Sequence, residues 1–456
     1  MVRWQLYSKP THTPEVKFPW FAMMAFYILV IGVALGIRAL SWPDGKPVDV
    51  VIFLIQAVIA PFMIISTIAV YLMIILQADN YYHASKKIYF DWKLYHMKVF
   101  ARKYLVIAGW SSVAPVKDIA LQMLKLEGEF PLAPKTPLII ETEAEFEATR
   151  TQQIFTKLVV PLAEKLKKHS GFDVTLWVRG AEETASDDLL HVFKEQGMNV
   201  EKKITILSEC PDYLLLNKMI TESDNLWNYR HLLIIVDLYG DTESKCMENA
   251  SALFICNDYS EHERPKPVLL FQPMTSDQDL AESTPVFIAT GQTQPPKTLW
   301  HSGLSQSEKY PLFSVLGENK AAPDRLDLEL SFGERSAGYR WLALVIASDA
   351  VRYAQGAQLV ATSEKNKPGL AVLSSEQPFI PSEPNDSEYA APPVFIAILA
   401  ALLAALSAGL GWGSYVGKPD LFWLTLFVVI NLIITVAIGW GLTMSANQKA
   451  YNAVNQ

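Results

Sequence analysis

The chain has 456 residues, of which 39 are basic and 47 acidic, so its formal net charge is −8. This length allows two or three domains, and the charge argues against a general nucleic-acid-binding protein. Half of the residues are hydrophobic, which is high for a soluble protein, yet 19% are charged, which is too many for a chain made only of membrane spans. We therefore expect apolar segments that are separated from a polar domain.

Four apolar segments, two near each end of the chain, are long enough to cross a bilayer. Residues 19–42 and 50–77 form the first pair, and residues 394–416 and 421–444 form the second. The hydrocarbon core of a bilayer is ~30 Å thick and requires about 20 helical residues. We therefore expect four transmembrane helices in two hairpins, with the second helix able to kink at Pro61.

These spans set the remaining boundaries. The predicted segments are a cytoplasmic N-terminus at 1–18, a transmembrane hairpin at 19–77, a basic juxtamembrane segment at 78–103, an α/β domain at 104–377, a linker at 378–393, a second hairpin at 394–444 and a cytoplasmic tail at 445–456. The linker is rich in Pro, Ser, Asn and Glu, a composition typical of a connection between folded parts.

The basic residues predict an orientation, because Lys and Arg accumulate on the untranslocated side of a membrane. Lys86 and Lys93 are among six basic residues that follow the second span, whereas the two hairpin turns carry only Lys46 and Lys418. Three cysteines with neither zinc-ligand spacing nor a disulfide framework fit a reducing compartment. We expect a multi-pass protein of the bacterial inner membrane with both termini and the main domain in the cytoplasm.

The third span carries small residues on one face, which allows close approach of another helix. They recur at every fourth position, at Ala397, Ala401, Ala405, Gly409 and Gly413. The partner of this face is the first span, the second span or another copy of the chain. Asn431, deep in the fourth span, either forms a hydrogen bond across the bundle or is satisfied locally.

The middle of the chain alternates between short apolar runs and amphipathic helical patterns such as residues 152–169, which is typical of an α/β domain. The predicted strands are 104–110, 136–142, 173–180, 204–208, 232–240, 252–258, 267–273, 285–291, 326–333 and 358–364. No glycine-rich phosphate-binding loop is present and no internal repeat is obvious, so we expect no nucleotide cofactor. We expect no metal either, because ligand spacing is lacking.

Cys210 is the candidate nucleophile, because it lies where a strand ends and a helix begins. A thiol near a helix N-terminus can have a lowered pKa, which favours the reactive thiolate. The acidic neighbours Glu209 and Asp212 oppose ionisation, and the alternative is a half-buried residue without a chemical role. Cys246 and Cys256 are interpreted as packing residues on a helix and a strand.

His301 and Glu334 are the other candidate catalytic residues. His301 lies in the segment LWHSG, and Glu334 precedes an amphipathic helix predicted over 337–353. If the three residues converged, the imidazole could act beside the thiol and the carboxylate could orient the ring. The alternatives are a surface histidine in a loop and a first-turn carboxylate favoured by the helix dipole.

The order of these segments resembles the β-ketoacyl synthases of the thiolase-like superfamily over residues 102–375. RKYLVIAGWSSVAPVKDIALQML is similar to their opening strand and loop, and SECPDYLLLNKMI is similar to their nucleophile elbow. LWHSG and SFGERSAGYRWLALVIASDAV are similar in order and rough spacing to their two histidine motifs.

The resemblance implies a layered αβαβα domain in which Cys210 takes the place of the acyl-accepting cysteine and His301 that of the first histidine. Glu334 stands where the second histidine is expected, which would oppose the negative charge formed in decarboxylative condensation. The loop that shapes the oxyanion hole is reduced to KNKPG, and each missing donor would cost acyl transfer ~3 kcal/mol or more. Pairing through edge strands, as in thiolase-like proteins, would make a homodimer.

These features favour a non-catalytic thiolase-like domain anchored in the inner membrane as an adaptor, interaction or immunity module with a protein partner. Membrane-tethered domains of this kind resemble accessory proteins of type VI secretion, whose partner would be a secreted effector. The alternative is a membrane-bound acyl-transfer or condensing enzyme that uses Cys210. A transporter is disfavoured, because the spans carry almost no charge at membrane depth.

Overall fold

The computed structural model describes most of the chain. The described residues are 4, 17–43, 47–132, 138–143, 148–169, 171–180, 184–198, 204–239, 246–257, 266–275, 280–318, 322–364, 367–385, 390–415 and 421–455. The predicted hairpin turn GKPD at 417–420 lies outside them.

The described helices and strands follow in chain order. The helices are α1 Trp20–Leu40, α2 Val50–Ala101, α3 Ile119–Met123, α4 Arg150–Val159, α5 Ala163–Lys168, α6 Ala185–Glu195, α7 Tyr213–Asn225, α8 Leu280–Ala289, α9 Gln306–Glu318, α10 Leu328–Phe332, α11 Tyr339–Arg352, α12 Pro393–Tyr415 and α13 Leu421–Asn455. The strands are β1 Tyr104–Val113, β2 Asp173–Arg179, β3 Thr205–Ile206, β4 Arg230–Asp237, β5 Asn249–Cys256, β6 Val268–Phe271, β7 Met274–Thr275, β8 Thr298–Ser302, β9 Asp324–Asp327, β10 Gln358–Glu364 and β11 Lys367–Ser374.

The chain divides into two compact units. The helical unit comprises Tyr7–Tyr95 and Ser382–Gln456, and the α/β unit comprises Met1–Leu6 and His96–Pro381. Within the described chain, α1, α2, α12 and α13 are long and apolar enough to cross a membrane, in agreement with the expected number of such helices.

Two of these helices continue beyond the predicted spans. Helix α2 runs through the basic segment to Ala101, and α13 runs through the predicted tail to Asn455. Neither extension contains Gly or Pro, so nothing in the sequence ends the helix at the edge of the apolar run.

A π-helical turn at Ile55–Ile59 lies within α2, shortly before Pro61. Proline has no N–H, and its ring collides with the carbonyl group four residues earlier in a regular helix. Here that carbonyl belongs to Ala57, inside the π turn, where the wider backbone relieves the collision.

The small residues of α12 pack within the helical unit. Ala397 and Ala400 are fully buried and form an apolar cluster with Ile74 of α2. A Cβ atom added to Gly439 of α13 would lie 2.4 Å from the Cβ atom of Ala397. The partners of this face are therefore α2 and α13, whereas a Cβ atom at Gly409 would meet only open space.

Side-chain hydrogen bonds also join these helices. The Asn431 amide donates to the Tyr71 hydroxyl at 3.3 Å, and that hydroxyl lies 2.7 Å from the Thr435 hydroxyl. The hydroxyls of Thr67 and Ser407 are 2.9 Å apart. Asn431 therefore bonds across the bundle, which was one of the two expectations.

The α/β unit contains one mixed sheet made of two halves with the same topology. The first half has the order β1-β5-β4-β2-β3, and the second has β6-β11-β10-β8-β9, with β7 beside β11. In both halves the successive pairs are antiparallel, antiparallel, parallel and parallel. The unit is therefore a structural duplication, although no sequence repeat is obvious.

The two halves meet through an antiparallel pair that runs from Tyr104↔Phe271 to Ile107↔Val268. Since β1 and β6 are the first strands of their halves, this pairing has the symmetry expected of a duplicated unit with an approximate two-fold axis. Backbone hydrogen bonds between β1 and β6 therefore join the two five-stranded halves into one sheet.

Helices cover both faces of each half, which gives the predicted αβαβα layers. Helices α4 and α6 pack on the outer face of the first half. Helix α11 lies in the core between the halves, where twelve of its fourteen residues are buried, and α7 contributes to the same core. Helices α8 and α9 line a cavity against the outer face of β10 and β11.

Two predicted strands are wrong, because short apolar runs do not distinguish the helical period from the strand period. Residues 285–291 belong largely to α8, whose buried Leu280, Ser283 and Phe287 follow helical spacing. Residues 326–333 form the end of β9 and then α10, which begins because the Asp327 carboxylate caps the backbone N–H of Glu329.

Two further predictions are corrected. The described residues 138–142 form no strand, because the N–H and carbonyl of Ile140 bond to the side chains of Glu248 and Arg150 instead of to a neighbouring strand. Cys246 lies in a bend and not on a helix, whereas Cys256 is on β5 as predicted.

Candidate functional site

Cys210 lies in the loop between β3 and α7, at the edge of a cavity of about 500 Å³. The helix is capped by Asp212, whose carboxylate accepts from the N–H of Leu214 at 2.9 Å. The positive end of the helix dipole is therefore compensated by Asp212 and not by the thiol.

The surroundings of Cys210 keep its thiol protonated. The Sγ atom donates to the carbonyl oxygen of Ala337 at 3.5 Å. Burial raises the pKa of Cys210 to about 12, and the carboxylates of Glu364 and Asp237 act in the same direction, against the opposing charge of Arg340. The sulfur is therefore a hydrogen-bond donor at neutral pH and not a thiolate.

Arg340 of α11 places a buried cation in the wall of this cavity. The residue is only 5% exposed. Its Nε atom donates to the Thr362 hydroxyl at 3.3 Å, and Nη2 donates to the carbonyl of Lys367 at 3.4 Å. Its Nη1 atom lies 3.8 Å from the carboxylate of Glu364. Sequence analysis missed Arg340 and Glu364, although an arginine inside the apolar pattern YRWLALVIASDAV is a detectable signal.

His301 is not in a loop but in β8, where it is 4% exposed. Its Nδ1 atom lies 3.6 Å from a carboxylate oxygen of Asp327, and Lys309 lies 3.1 Å from the same oxygen. Burial lowers the pKa of His301 to about 4, and Lys309 and Arg325 also lower it, against the opposing effect of Asp327. The ring is therefore neutral at pH 7.

The three predicted residues belong to different surroundings. Among the described residues, neither His301 nor Glu334 lines the cavity beside Cys210. Glu334 is exposed between α10 and α11, three residues before Ala337, which accepts the Cys210 hydrogen bond. The charges that shift the Cys210 pKa come from Arg340, Glu364 and Asp237, and those that shift the His301 pKa come from Asp327, Lys309 and Arg325.

A second buried carboxylate fixes the start of α11 behind this site. Asp237, at the end of β4, is fully buried and accepts from Arg179 Nε at 2.6 Å. It also accepts from the Ser336 hydroxyl at 2.5 Å and from the backbone N–H of Gly338 at 2.8 Å. A carboxylate at a helix N-terminus is stabilised by the helix dipole. Sequence analysis missed this network, because Asp237 and Gly338 are remote in the chain.

Comparison with known proteins identifies no matching family model and no matching curated protein. Solved structures similar to this chain include an oxazolomycin ketosynthase domain from Streptomyces albus, with 11% identity, coverage of 62% of this chain and 99% of that chain, and a TM-score of 0.42. Another is OleA from Xanthomonas campestris, with 8% identity, 60% and 99% coverage, and a TM-score of 0.38.

A third is 3-oxoacyl-[acyl-carrier-protein] synthase III from Aquifex aeolicus, with 12% identity, 59% and 99% coverage, and a TM-score of 0.37. The similarity is one of fold and assigns no activity, substrate or partner to this chain.

Proposed function

We propose that this chain is a bacterial inner-membrane protein whose thiolase-like α/β unit has a binding role and not a catalytic one. In this role it acts as an adaptor, interaction or immunity module, and we propose an association with type VI secretion. The observation that carries the proposal is the Cys210 thiol, which is half-buried, protonated and hydrogen-bonded to the carbonyl of Ala337.

Nucleophilic catalysis by cysteine requires the thiolate, which an adjacent imidazole or a lowered pKa normally supplies. With a pKa of about 12, the Cys210 thiolate is about one part in 10⁵ at pH 7. No histidine contributes to the Cys210 pKa among the described residues, and the groups that do include two carboxylates. This environment disfavours the acyl-transfer alternative, which is nevertheless the second candidate because a cavity adjoins the sulfur.

The same cavity is suited to binding a polar protein segment. Its lining contains both basic and acidic side chains. The basic residues are Lys218, Arg340 and Lys367, and the acidic residues include Glu209 and Glu364. A surface of mixed charge favours a partner with complementary charges over a lipid tail or an aliphatic acyl chain. We propose a protein partner here, such as a secreted effector, and a homodimer as the assembly.

The partner is tested by photo-crosslinking the full-length protein in native membranes. A p-benzoylphenylalanine placed at Leu214, which lines the cavity and is 52% exposed, reports on the cavity. The same probe at Leu330, which is 68% exposed on α10 and does not line it, is the matched control. We expect one defined protein adduct from Leu214, absent from Leu330 and unchanged by Cys210→Ser.

Two results would contradict the proposal. The first is equal crosslinking patterns from Leu214 and Leu330, which would show that the cavity has no partner of its own. The second is loss of the Leu214 adduct, together with a cellular phenotype, on Cys210→Ser, since a binding module does not need the nucleophilic sulfur.

A further inference from the structure

A second cavity, of about 310 Å³, lies on the outer face of the second half of the α/β sheet. It shares no lining residue with the Cys210 cavity. One wall is apolar and is formed by Phe287 of α8, Leu316 of α9, and Leu359 and Val372 of the sheet. None of its described lining residues is charged. Its volume is at the lower end of the range for small-molecule sites, roughly 300–1,000 Å³.

Gln292 gives this cavity an unused hydrogen-bond acceptor. The residue lines the cavity and is only 4% exposed. Its Nε2 atom donates to the carbonyl oxygen of Gln272 at 3.0 Å. A carbonyl oxygen can only accept, so this bond identifies the nitrogen and the oxygen of the Gln292 amide. The Oε1 atom is left buried and without a donor in the described chain.

Thr293, the next residue in the lining, has a second buried atom of this kind. Its Oγ1 atom also has no hydrogen-bond partner among the described residues. A threonine hydroxyl can both donate and accept, whereas the Gln292 Oε1 atom only accepts. Buried polar atoms in native proteins are normally hydrogen-bonded, so two adjacent exceptions at one cavity indicate a ligand that supplies the missing partners.

The wall that carries these residues is held in place. The guanidinium of Arg102 donates to the carbonyl of Gly291 from Nε at 3.2 Å and from Nη2 at 3.1 Å. Trp4 packs edge-on against Phe287, with ring centroids 5.1 Å apart. A site of this kind is formed before its ligand binds, which lowers the entropic cost of binding.

We propose that this cavity binds a small uncharged molecule with an apolar body and one hydroxyl or primary amide group. The hydroxyl or amide donates to Gln292 Oε1 and accepts from the Thr293 hydroxyl. The apolar body lies against Phe287, Leu316 and Leu359. A carboxylate or phosphate is disfavoured, because no described lining residue is charged and Gln292 presents an acceptor. The nearby Arg102 guanidinium donates to the carbonyls of Thr290 and Gly291.

The test uses fluorine NMR with the purified full-length protein and two probes of equal length, 6,6,6-trifluorohexan-1-ol and 1,1,1-trifluorohexane. We expect the alcohol to bind at least tenfold more tightly than the hydrocarbon. Gln292→Leu should remove that difference, because it deletes the acceptor and keeps the apolar wall. Leu359→Trp should abolish binding of both probes by filling the cavity, which separates this site from partition into detergent.

Unchanged melting temperatures of both variants establish that they are folded. Equal affinity of the wild-type protein for the two probes, retention of the difference in Gln292→Leu, or undiminished binding in Leu359→Trp would each overturn the proposal. So would the absence of alcohol binding at millimolar concentration. None of these results bears on the Cys210 cavity, so the inference stands or falls separately from the proposed function.

Discussion

At the scale of single residues, burial determines the protonation state of two of the three predicted site residues. Burial keeps Cys210 protonated and keeps His301 neutral, since both charged forms would lose hydration. The position of Cys210 before a helix was predictable from the end of an apolar run followed by Pro and Asp. Its environment was not, because Arg340 and Glu364 reach it from another helix and strand.

His301 predicts a loss of stability in acid. Its pKa is lowered to about 4 in the folded protein, whereas an unfolded histidine titrates near ~6.5. The unfolded chain therefore binds more protons between these values. The stabilising contribution is complete above pH ~6.5 and is lost as the pH falls towards 4, up to about 3 kcal/mol at ~1.36 kcal/mol per pH unit.

The measurement is the melting temperature of the α/β unit between pH 7 and 4.5, for the wild type and for His301→Asn. The difference between the two proteins isolates His301 from the carboxylates that titrate in the same range. We expect the wild type to lose several degrees more than the variant. Parallel curves would show that His301 titrates normally in the folded protein.

Gly338 predicts a steric effect at the start of α11. A Cβ atom there would lie 2.2 Å from Asn249 Oδ1 and 2.8 Å from Asp237 Cβ. Gly338→Ala should therefore destabilise the α/β unit by about 3 kcal/mol, at the upper end of the usual ~0.5–3 kcal/mol for point substitutions. Gly317, in α9, has nothing within 4 Å of its added Cβ atom and provides the control. Gly317→Ala should be neutral or stabilising by up to ~1 kcal/mol. Equal changes in the melting temperature of the two variants would contradict this prediction.

At the scale of elements, the sequence predicted the helices whose apolar runs are long enough to cross a membrane. It missed the elements whose type depends on contacts with residues remote in the chain. The four spans followed from the length of their apolar runs. Residues 285–291 have an apolar run as short as a strand, and only their packing in α8 shows the helical period. The duplicated sheet was not detected because its halves share the order and direction of strands and not their residues.

Helix packing in the helical unit predicts different tolerance at two nearby glycines. A Cβ atom at Gly439 would lie 2.4 Å from that of Ala397 and 3.1 Å from the Cα atom of Val394, whereas one at Gly441 meets nothing within 4 Å. Gly439→Leu should separate α13 from α12 and lower the melting temperature of the full-length protein in detergent. Gly441→Leu should leave it within a few degrees of the wild type. An equal effect of both substitutions would show that α12 and α13 do not pack through Gly439.

At the scale of the whole molecule, one chain contains four long apolar helices and a duplicated α/β unit. The length of the apolar runs was predictable, because hydrocarbon thickness sets it, whereas the continuation of α2 and α13 beyond those runs was not. Orientation is a separate question that depends on the basic residues after the second span. The proposed cytoplasmic placement of both termini and of the α/β unit follows from that bias, and the three cysteines agree with it.

Orientation is checked with reporters inserted near Lys320 and fused after Gln456. A fluorescent protein that matures only in the cytoplasm should be bright at both positions, and alkaline phosphatase should be inactive at both. A fusion in the predicted turn at Lys46 should show the reverse pattern. Active phosphatase at Lys320 would place the α/β unit on the far side of the membrane.

The central claim, that the α/β unit binds without catalysing acyl transfer, is tested most directly by the reactivity of Cys210. The full-length protein is incubated with cerulenin, which alkylates the acyl-accepting cysteine of condensing enzymes, beside an active synthase as control, and the peptides are analysed by mass spectrometry. We expect complete labelling of the control and no stoichiometric adduct on Cys210, because the pKa of its thiol is raised to about 12 and the thiolate is therefore scarce at pH 7. Stoichiometric labelling of Cys210 at pH 7 would contradict it.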